Sequence, residues 1–110
     1  MNALKNHVQL IGRLGNNPEI KTLKSGRKVA SFSLATNDFY YNDNGEKVEE
    51  TEWHNIVAWG KKCDTIENYL NKGSEVALQG KLQTRSYEKD GEKKYITEIV
   101  MNEMLMMRKA

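Results

Sequence analysis

The sequence of 110 residues predicts one small all-β domain that contains a single helix. Apolar and polar residues alternate through most of the chain, which is the period of a strand with one buried face. Only one segment, 61–72, changes to helical spacing. The size of the chain is consistent with a single domain, because 12.7 kDa with 38% hydrophobic residues supports one core rather than two. We expect this domain to span 1–107, with 108–110 as a short C-terminal end.

The N-terminal half predicts two strands followed by a long loop. The first strand covers 5–14, and its buried face is made of Val8, Leu10, Gly12 and Leu14. After a turn at 15–18 and a short extended piece at 19–23, the second strand covers 28–36 and buries Ala30, Phe32 and Leu34. Residues 37–50 are polar and contain the turn signal Asn42-Asp43-Asn44-Gly45, so they predict a flexible loop.

The C-terminal half predicts a third strand, the helix and two final strands. The third strand, 51–60, directs Trp53 and Trp59 to the same side. The helix ends before Gly73, a residue suited to a helix C-terminus, and its buried face holds Cys63, Ile66, Tyr69 and Leu70. The last strands, 74–87 and 93–101, are joined by a hairpin turn at Asp90-Gly91.

The order of these elements is strand, strand, strand, helix, strand, strand. It is the order of an OB-fold, a five-stranded Greek-key barrel, here with one helix between strands 3 and 4. The fourth strand separates the two faces that a barrel requires. Its core face holds Val76, Leu78, Gly80 and Leu82. Its outward face holds Gln79, Lys81, Gln83, Arg85 and Tyr87.

The charge pattern and the missing motifs narrow the function. The net charge is only +2, but residues 43–52 hold five acids and one base, so the rest of the chain is moderately basic and suits a polyanion partner. A single cysteine excludes an internal disulfide. Cys63, His7 and His54 lack the spacing of a metal site, and no nucleotide or hydrolase motif is present. We therefore predict no metal, cofactor or catalytic residue.

No segment of the sequence has the length and character of a membrane span. There is no signal-peptide region at the N-terminus either. We expect an intracellular protein without a membrane partner.

Aromatic and basic residues alternate at predicted outward positions. Bases of a single strand expose flat π-faces next to charged phosphates, so a binder combines stacking aromatics with cations. Lys81, Arg85 and Tyr87 form one such group, and Trp53 with Trp59 forms another. This pattern favours a binding module for single-stranded nucleic acid.

Each of these residues also has a structural interpretation. The two tryptophans are compatible with core packing, and Tyr87 with packing against Tyr95 on the neighbouring strand. Lys81 and Arg85 are compatible with solvated charges on an edge strand. His54 lies off the tryptophan side and is interpreted as a packing or interface residue.

Six segments of the sequence resemble bacterial single-stranded DNA-binding proteins, in order and over nearly the whole chain. They are N-x-V-x-L-I-G-x-L-G-x-x-P-E at 6–19, V-A-S-F-S-L-A-T at 29–36, T-E-W-H-x-I-V-x-W-G-K at 51–61, Y-L-x-K-G at 69–73, V-x-L-x-G-K-L-x-T-R-x-Y at 76–87 and Y-x-T-E-I-V at 95–100. The resemblance implies a homotetramer of OB-folds that binds single-stranded DNA without sequence preference during replication, recombination and repair. It implies a cytoplasmic location, at the nucleoid.

The resemblance also implies which residues contact DNA. The family's four base-stacking positions fall on Tyr40, Trp53, Trp59 and Tyr87. Its backbone-contacting basic positions fall on Lys61, Lys72 and Arg85, with Lys5, Arg13 and Lys21 as weaker candidates. His54 falls where the family has a histidine in a dimer contact.

The C-terminus departs from the family pattern. Family members usually continue into a flexible tail with an acidic tip that recruits other proteins, whereas this sequence stops at Met107-Arg108-Lys109-Ala110. We therefore expect a short form without tail-mediated recruitment.

Three other functions stay open at this point. A primosomal accessory protein would keep the fold but lose most stacking aromatics. An RNA-binding OB module would share the surface chemistry. A small nuclease would need a metal at Asp38, Asp43 and Glu46.

Overall fold

Six strands and one helix make up the computed structural model, which describes residues 4–108. The elements are β1 (Val8–Leu14), β2 (Glu19–Thr22), β3 (Lys28–Tyr41), β4 (Lys47–Trp59), α1 (Lys62–Tyr69), β5 (Glu75–Lys89) and β6 (Glu92–Arg108). Their order in the sheet is β1-β5-β6-β4-β3-β2. β1 also pairs with β3, at Arg13↔Ala35 and Leu14↔Leu34. This second pairing closes β1, β5, β6, β4 and β3 into a barrel, to which β2 adds along β3.

The barrel has the topology of the predicted OB-fold, so the predicted fold class is confirmed. Neighbouring strands are antiparallel except β4 and β6, which run parallel at Ile56↔Ile99 and Val57↔Val100. The helix lies between β4 and β5 rather than between strands 3 and 4. The difference arises because the short extended piece at Glu19–Thr22 pairs with β3 and counts as a strand.

The helix is shorter than the predicted segment 61–72. It buries Cys63 and Ile66, and Leu70 just after it is buried as well. Tyr69 was predicted on the buried face but is exposed, because the core side of the helix follows Cys63, Ile66 and Leu70, and Tyr69 lies beside this stripe. Gly73 has the left-handed φ of +93°, but it lies in the turn after the helix rather than at the helix C-terminus.

The predicted loop over 37–50 is wrong, because β3 and β4 continue as a regular antiparallel hairpin from Val29↔Trp59 to Tyr41↔Lys47. Only the turn was predicted correctly. The Asn42 side chain stabilises it by accepting hydrogen bonds from the backbone N–H groups of Asn44 and Glu46 at 3.0 and 2.9 Å. This part of the hairpin projects from the barrel and buries neither face, so its sequence lacks the apolar alternation of a core strand.

The last strand also exceeds its predicted range of 93–101. Met104, Leu105 and Met106 continue β6 opposite Leu78, Ala77 and Val76. The register shifts between Gln79 and Gly80, so that Asn102 is an extra residue on β6. This bulge changes which parity faces the core and thereby masks the alternation in the sequence.

The core lies inside the barrel and under α1, and most predicted core positions are confirmed. Ala30, Phe32 and Leu34 of β3 are buried, as are Val76 and Leu78 of β5. Leu82 is an exception and is exposed, because β5 leaves the barrel after Gly80.

Glycine is required where two strands come into close contact. A Cβ at Gly12 would collide with the carbonyl oxygen of Ala35, and one at Gly80 would collide with the carbonyl oxygen of Val100. Both glycines mark points at which the barrel bends tightly.

The molecule extends 56 × 37 × 34 Å, with a radius of gyration of 16.0 Å. A compact chain of this length would have a radius of about 13 Å. The excess comes from the β3–β4 and β5–β6 hairpins, which project from the barrel. One domain over 1–107 stays a prediction. β6 reaches Arg108, whereas 1–3 and 109–110 lie outside the described residues.

Candidate nucleic-acid interface

Strand register places several of the aromatic and basic candidates on one side of the sheet. Directly opposed residues of neighbouring strands point to the same face. Starting from the β3 positions that alternate with buried Ala30, Phe32 and Leu34, the register defines three outward rows across the sheet. They are Lys21–Val29–Trp59, Arg13–Ala35–Trp53 and Val57–Val100–Lys81. We call the surface that carries these rows and the outward residues Arg85 and Tyr87 the outer face.

Trp53 lies on the outer face with 61% of its surface exposed. The core interpretation of this tryptophan is therefore wrong. Its ring lies over Gly15, where a Cβ would collide with it. Gly15 is itself held by a hydrogen bond from its N–H to the Ser33 carbonyl at 3.0 Å. The ring thus rests on a fixed piece of backbone while most of its surface stays accessible.

Trp59 is half-buried and is covered by a cation. The guanidinium carbon of Arg27 lies 4.5 Å from the centroid of the Trp59 ring, which is a cation–π contact. Lys21 lies in the same row of the sheet. Sequence reasoning missed Arg27, because this residue follows the turn glycine Gly26 and belongs to no strand whose parity would indicate a face.

Tyr87 and Lys81 lie on the outward parity of β5. Tyr87 is opposite Lys94, whereas Tyr95 is opposite Ser86. The two tyrosines therefore lie on opposite faces of the hairpin, and the alternative interpretation of Tyr87 as a packing partner of Tyr95 is wrong. The Tyr87 ring is instead exposed, with Lys94 as its directly opposed residue on β6.

Arg85 is already bound to an acidic side chain. Its Nε and Nη2 donate to the two carboxylate oxygens of Glu98 at 2.9 and 3.3 Å. These hydrogen bonds and the negative charge raise the pKa of the Arg85 guanidinium. The residue is cationic at any working pH but shares its donors with a carboxylate.

Tyr40 lies on a different face from the tryptophans. It is opposite Val48, on the parity that continues the core side of β3, whereas Trp53 is opposite Ala35 on the other parity. Its neighbours Phe39 and Tyr41 share the parity of Trp53. The side chains of Phe39, Tyr40 and Tyr41 are all exposed.

The remaining basic candidates surround this surface without forming one cluster. Lys61 precedes α1 and lines a shallow depression together with Arg27 and Gly60. Lys72 follows α1, and its backbone N–H donates to the Asn17 side chain at 2.8 Å. Lys5 is exposed ahead of β1.

Arg13 makes polar contacts at the end of β1. It donates a hydrogen bond to the Gly73 carbonyl at 3.1 Å and lies 3.9 Å from the Glu75 carboxylate. Both contacts leave it exposed in the row of Trp53.

His54 lies off the outer face, as its parity predicts. It is half-buried opposite Leu34, and its Nε2 lies 2.9 Å from the hydroxyl oxygen of Thr36. This hydrogen bond fixes the ring at the end of the barrel.

Groups for catalysis or metal binding do not come together within residues 4–108. No set of three or more His, Cys, Asp or Glu side chains in this part of the chain is arranged to hold a metal ion, and Asp38, Asp43 and Glu46 are therefore not assembled into such a set. Burial is the main cause that raises the pKa of the Cys63 thiol, which keeps it protonated. Across the same residues no helix is long and apolar enough to cross a membrane.

A closed OB barrel with aromatic and basic residues along one face defines a binding module of the oligonucleotide-binding type. The sequence model described as the single-strand binding protein family matches residues 5–107. The chain belongs to this family, which confirms the resemblance found in the sequence.

Relatives and solved structures agree with this assignment. The chain is 50% identical over 104 residues to single-stranded DNA-binding protein 1 of Chlorobaculum tepidum, covering 93% of this chain and 64% of that protein. It is 45% identical over 103 residues to the single-stranded DNA-binding protein of Neisseria meningitidis, covering 93% and 59%. The chain thus spans about three-fifths of the length of these relatives.

Two solved structures share the fold. One is described as the Plasmodium falciparum SSB complex with ssDNA, with a TM-score of 0.83, 42% identity, and coverage of 93% of this chain and 94% of that one. The other is a deletion mutant of the single-stranded DNA binding protein from Thermus aquaticus, with a TM-score of 0.82, 27% identity, and coverage of 94% and 50%.

Proposed function

We propose that this protein binds single-stranded DNA without sequence preference and protects it during replication, recombination and repair. The observation that carries the proposal is the alignment of Trp53 with Arg13 and of Trp59 with Lys21 in single rows of the outer face. Each row offers a flat ring and, two strands away on the same face, a cation, a combination that suits the bases and phosphates of one strand. The relatives named as single-stranded DNA-binding proteins and the P. falciparum complex with ssDNA support the same function.

In this proposal, Trp53, Trp59 and Tyr87 stack on bases. Each stacked base contributes about 1–3 kcal/mol, independent of sequence because every base has a π-face. Duplex DNA hides these faces, so the surface prefers single strands. Tyr40, the fourth position implied by the resemblance, would have to reach DNA from the other face of its hairpin.

The cations fix the path of the phosphates. Lys81, Lys21, Arg13 and Arg85 belong to the outer face, and further contacts come from Lys61, Lys72 and Lys5. Each phosphate neutralised releases counterions, so the logarithm of affinity falls with the logarithm of salt by about 0.7 per contact. The protein acts by binding alone, without a catalytic step, in the cytoplasm at the nucleoid.

We also propose that the barrels assemble into homotetramers. Two features support assembly. The strand β1 has an open edge beyond its short pairing with β3, and an open edge can pair with a second copy. Ile11, Ala77 and Leu105 form an apolar row across β1, β5 and β6, and the two larger side chains are exposed. His54 is the proposed histidine of the dimer contact.

Tryptophan fluorescence tests the binding function directly. Titration with oligo-dT at two salt concentrations is expected to quench the fluorescence, and the affinity is expected to fall at the higher salt. Trp53→Ala should weaken binding about five- to 150-fold, the equivalent of one lost stacking contact. Duplex DNA and an RNA of equal length serve as controls, and a stronger response to RNA would favour the RNA-binding alternative.

A folded protein without quenching or affinity would disprove the proposed function. In that case the protein-handling role of an accessory OB-fold protein would become the leading hypothesis. Incubating labelled DNA with Mg²⁺ tests the nuclease alternative separately.

A further inference from the structure

We infer that Arg27 is a further DNA-binding residue, which leaves the Trp59 ring when a base stacks there and then binds the phosphate next to that base. The inference rests on the proposed binding of single-stranded DNA. It extends that function to a residue outside the positions that the family resemblance implies. The contact of Arg27 with the Trp59 ring, the donors of its guanidinium and a basic depression beside it carry the inference.

The guanidinium of Arg27 covers a ring that a stacking base needs. Its carbon lies 4.5 Å from the centroid of the Trp59 ring. Arg27 is exposed, whereas Trp59 is half-buried. A base that stacks on the covered face of Trp59 must therefore displace the guanidinium. A cation–π contact at an exposed site is weak, so a stacked base can replace it.

The turn that carries Arg27 is fixed, so the displaced side chain stays close to Trp59. The Arg27 carbonyl accepts a hydrogen bond from the N–H of Leu23 at 2.8 Å, and the Leu23 carbonyl accepts one from the N–H of Gly26 at 2.8 Å. Two residues after Arg27 along the chain, Val29 is directly opposite Trp59 in the sheet. The exchange therefore needs only a change of side-chain rotamer.

A ring, rather than a carboxylate, holds the side chain of Arg27. Arg13, Arg85 and Arg108 each lie 2.9–3.9 Å from a glutamate carboxylate. In the part of the chain that the structure describes, the contact with Trp59 is the only polar or ring contact of the Arg27 side chain. A guanidinium carries five N–H donors in a planar fork that matches a phosphate. Arg27 can thus bind a phosphate without breaking an ion pair.

A basic depression next to Trp59 provides the place for this phosphate. Arg27 and Lys61 line it, and the space above Gly60 is open, because a Cβ there would contact no atom within 4 Å. The lining also contains Asp64, whose carboxylate accepts a hydrogen bond from the Lys28 ammonium at 3.1 Å. This pair leaves the charges of Arg27 and Lys61 in excess. Two cations beside open backbone suit one phosphate.

The exchange couples stacking to phosphate binding. A base on Trp59 frees the cation that binds its phosphate, so each contact favours the other. Duplex DNA hides its base faces and therefore leaves Arg27 on the ring. Arg27 thereby contributes to the preference for single strands as well as to affinity.

Titration with oligo-dT at four salt concentrations tests the phosphate contact. Arg27→Ala should weaken binding about tenfold, the equivalent of one charge-assisted hydrogen bond. The logarithmic salt slope should fall by about 0.7, because one phosphate contact is lost. Arg27→Lys keeps the charge and should retain the slope, although it loses the planar fork. With duplex DNA, Arg27→Ala should have a smaller effect.

Lys62→Ala is the matched control. It removes the same charge from the residue next to Lys61, but Lys62 lines a groove with Met101 and Asn102 of β6. Its affinity should stay within about twofold of the unmodified protein, since a charge away from the strand is screened by salt. Arg27 and Lys62 are both exposed, and circular dichroism verifies that each variant is folded.

Acrylamide quenching of tryptophan fluorescence measures the cover of the ring without DNA. In a Trp53→Phe background, Trp59 is the only tryptophan of the chain. Arg27→Ala should increase the quenching by acrylamide, because it uncovers the Trp59 ring, and Lys62→Ala should leave the quenching unchanged. Equal quenching with and without Arg27 would overturn the inference.

Two results of the titrations would also overturn it. Tighter binding of oligo-dT by Arg27→Ala would make Arg27 only a competitor of the bases for Trp59. Equal salt slopes in Arg27→Ala and Lys62→Ala would show that Arg27 does not bind a phosphate.

A failure of the inference is distinguishable from a failure of the proposed function. If the unmodified protein binds oligo-dT and Trp53→Ala weakens binding, but Arg27→Ala binds normally, only the inference is wrong. If the unmodified protein does not bind oligo-dT at all, the proposed function itself fails.

Discussion

Arg85 illustrates how a single contact can limit a residue that we propose to bind DNA. Its Nε–H and one N–H of Nη2 are directed at Glu98, which leaves the other N–H groups of the guanidinium for a phosphate. The Glu98 side chain is only 13% exposed, whereas that of Arg85 is 54% exposed. A phosphate that approaches Arg85 therefore meets a guanidinium whose charge and orientation are already set by a well-positioned carboxylate.

Glu98→Gln is expected to raise the affinity for oligo-dT, because it weakens the bond that holds Arg85 and removes a negative charge from the outer face. The salt dependence should become steeper by about 0.7 in logarithmic slope if Arg85 gains one phosphate. Titrations at four salt concentrations measure both effects. Glu103→Gln is the matched control, since it removes the same charge from the same strand and leaves Arg85 untouched. Equal slopes in the two variants would contradict this account.

For single residues, the sequence predicted which side of a strand a side chain occupies, because this depends only on strand parity. The common side of Trp53 and Trp59 and the separate side of His54 follow from spacing alone and were predicted correctly. The contact of Arg27 with Trp59 was not predictable, because it depends on how a turn folds back over the sheet. The bond of Arg85 to Glu98 depends on the register of two strands, which spacing within one strand does not define.

At the scale of elements, the barrel depends on a short closure between β1 and β3. The pairing covers only Arg13↔Ala35 and Leu14↔Leu34. Gly12 lies just before it, against the Ala35 backbone. The lack of a side chain at Gly12 is therefore a condition for closing the barrel.

Gly12→Ala is expected to lower the free energy of unfolding by about 1–3 kcal/mol, the range typical of overpacking, because the new methyl group would displace the β3 backbone. Urea denaturation followed by tryptophan fluorescence measures the change. Gln9→Ala, at an exposed position of the same strand, should alter stability by no more than about 0.5 kcal/mol. Unchanged stability of Gly12→Ala would show that closure tolerates a wider gap.

The elements that bury a face were predictable, and those that do not were missed. The alternation of apolar and polar residues identified the β3 core positions Ala30, Phe32 and Leu34, because one face of that strand is buried. The outer part of the β3–β4 hairpin is exposed to solvent on both faces, so its sequence does not alternate between apolar and polar residues. The end of β6 was missed for another reason, since the extra residue Asn102 reverses the parity within one strand.

At the scale of the whole molecule, the proposed tetramer predicts a specific weak point. Leu105→Glu introduces charge into the apolar row of Ile11 and Ala77, and it is expected to reduce the assembly to a smaller species. Sedimentation velocity measures the mass. Leu23→Glu, an equally non-polar and exposed position in the β2–β3 turn, is the control and should leave the assembly intact. A tetramer in both variants would exclude this row from the interface.

The seam between β1 and β5 has a consequence for how the chain folds. Val8 pairs with Gly80, so β1 can pair with β5 only after a distant part of the chain has been brought close to it. The β3–β4 and β5–β6 hairpins pair residues that are close in the chain, and such hairpins form in about 1–10 μs. Closure of a barrel dominated by distant pairings takes milliseconds to seconds. The two hairpins, which carry the proposed stacking residues Trp53 and Tyr87, therefore form early. The slow step is the pairing of β1 with β5.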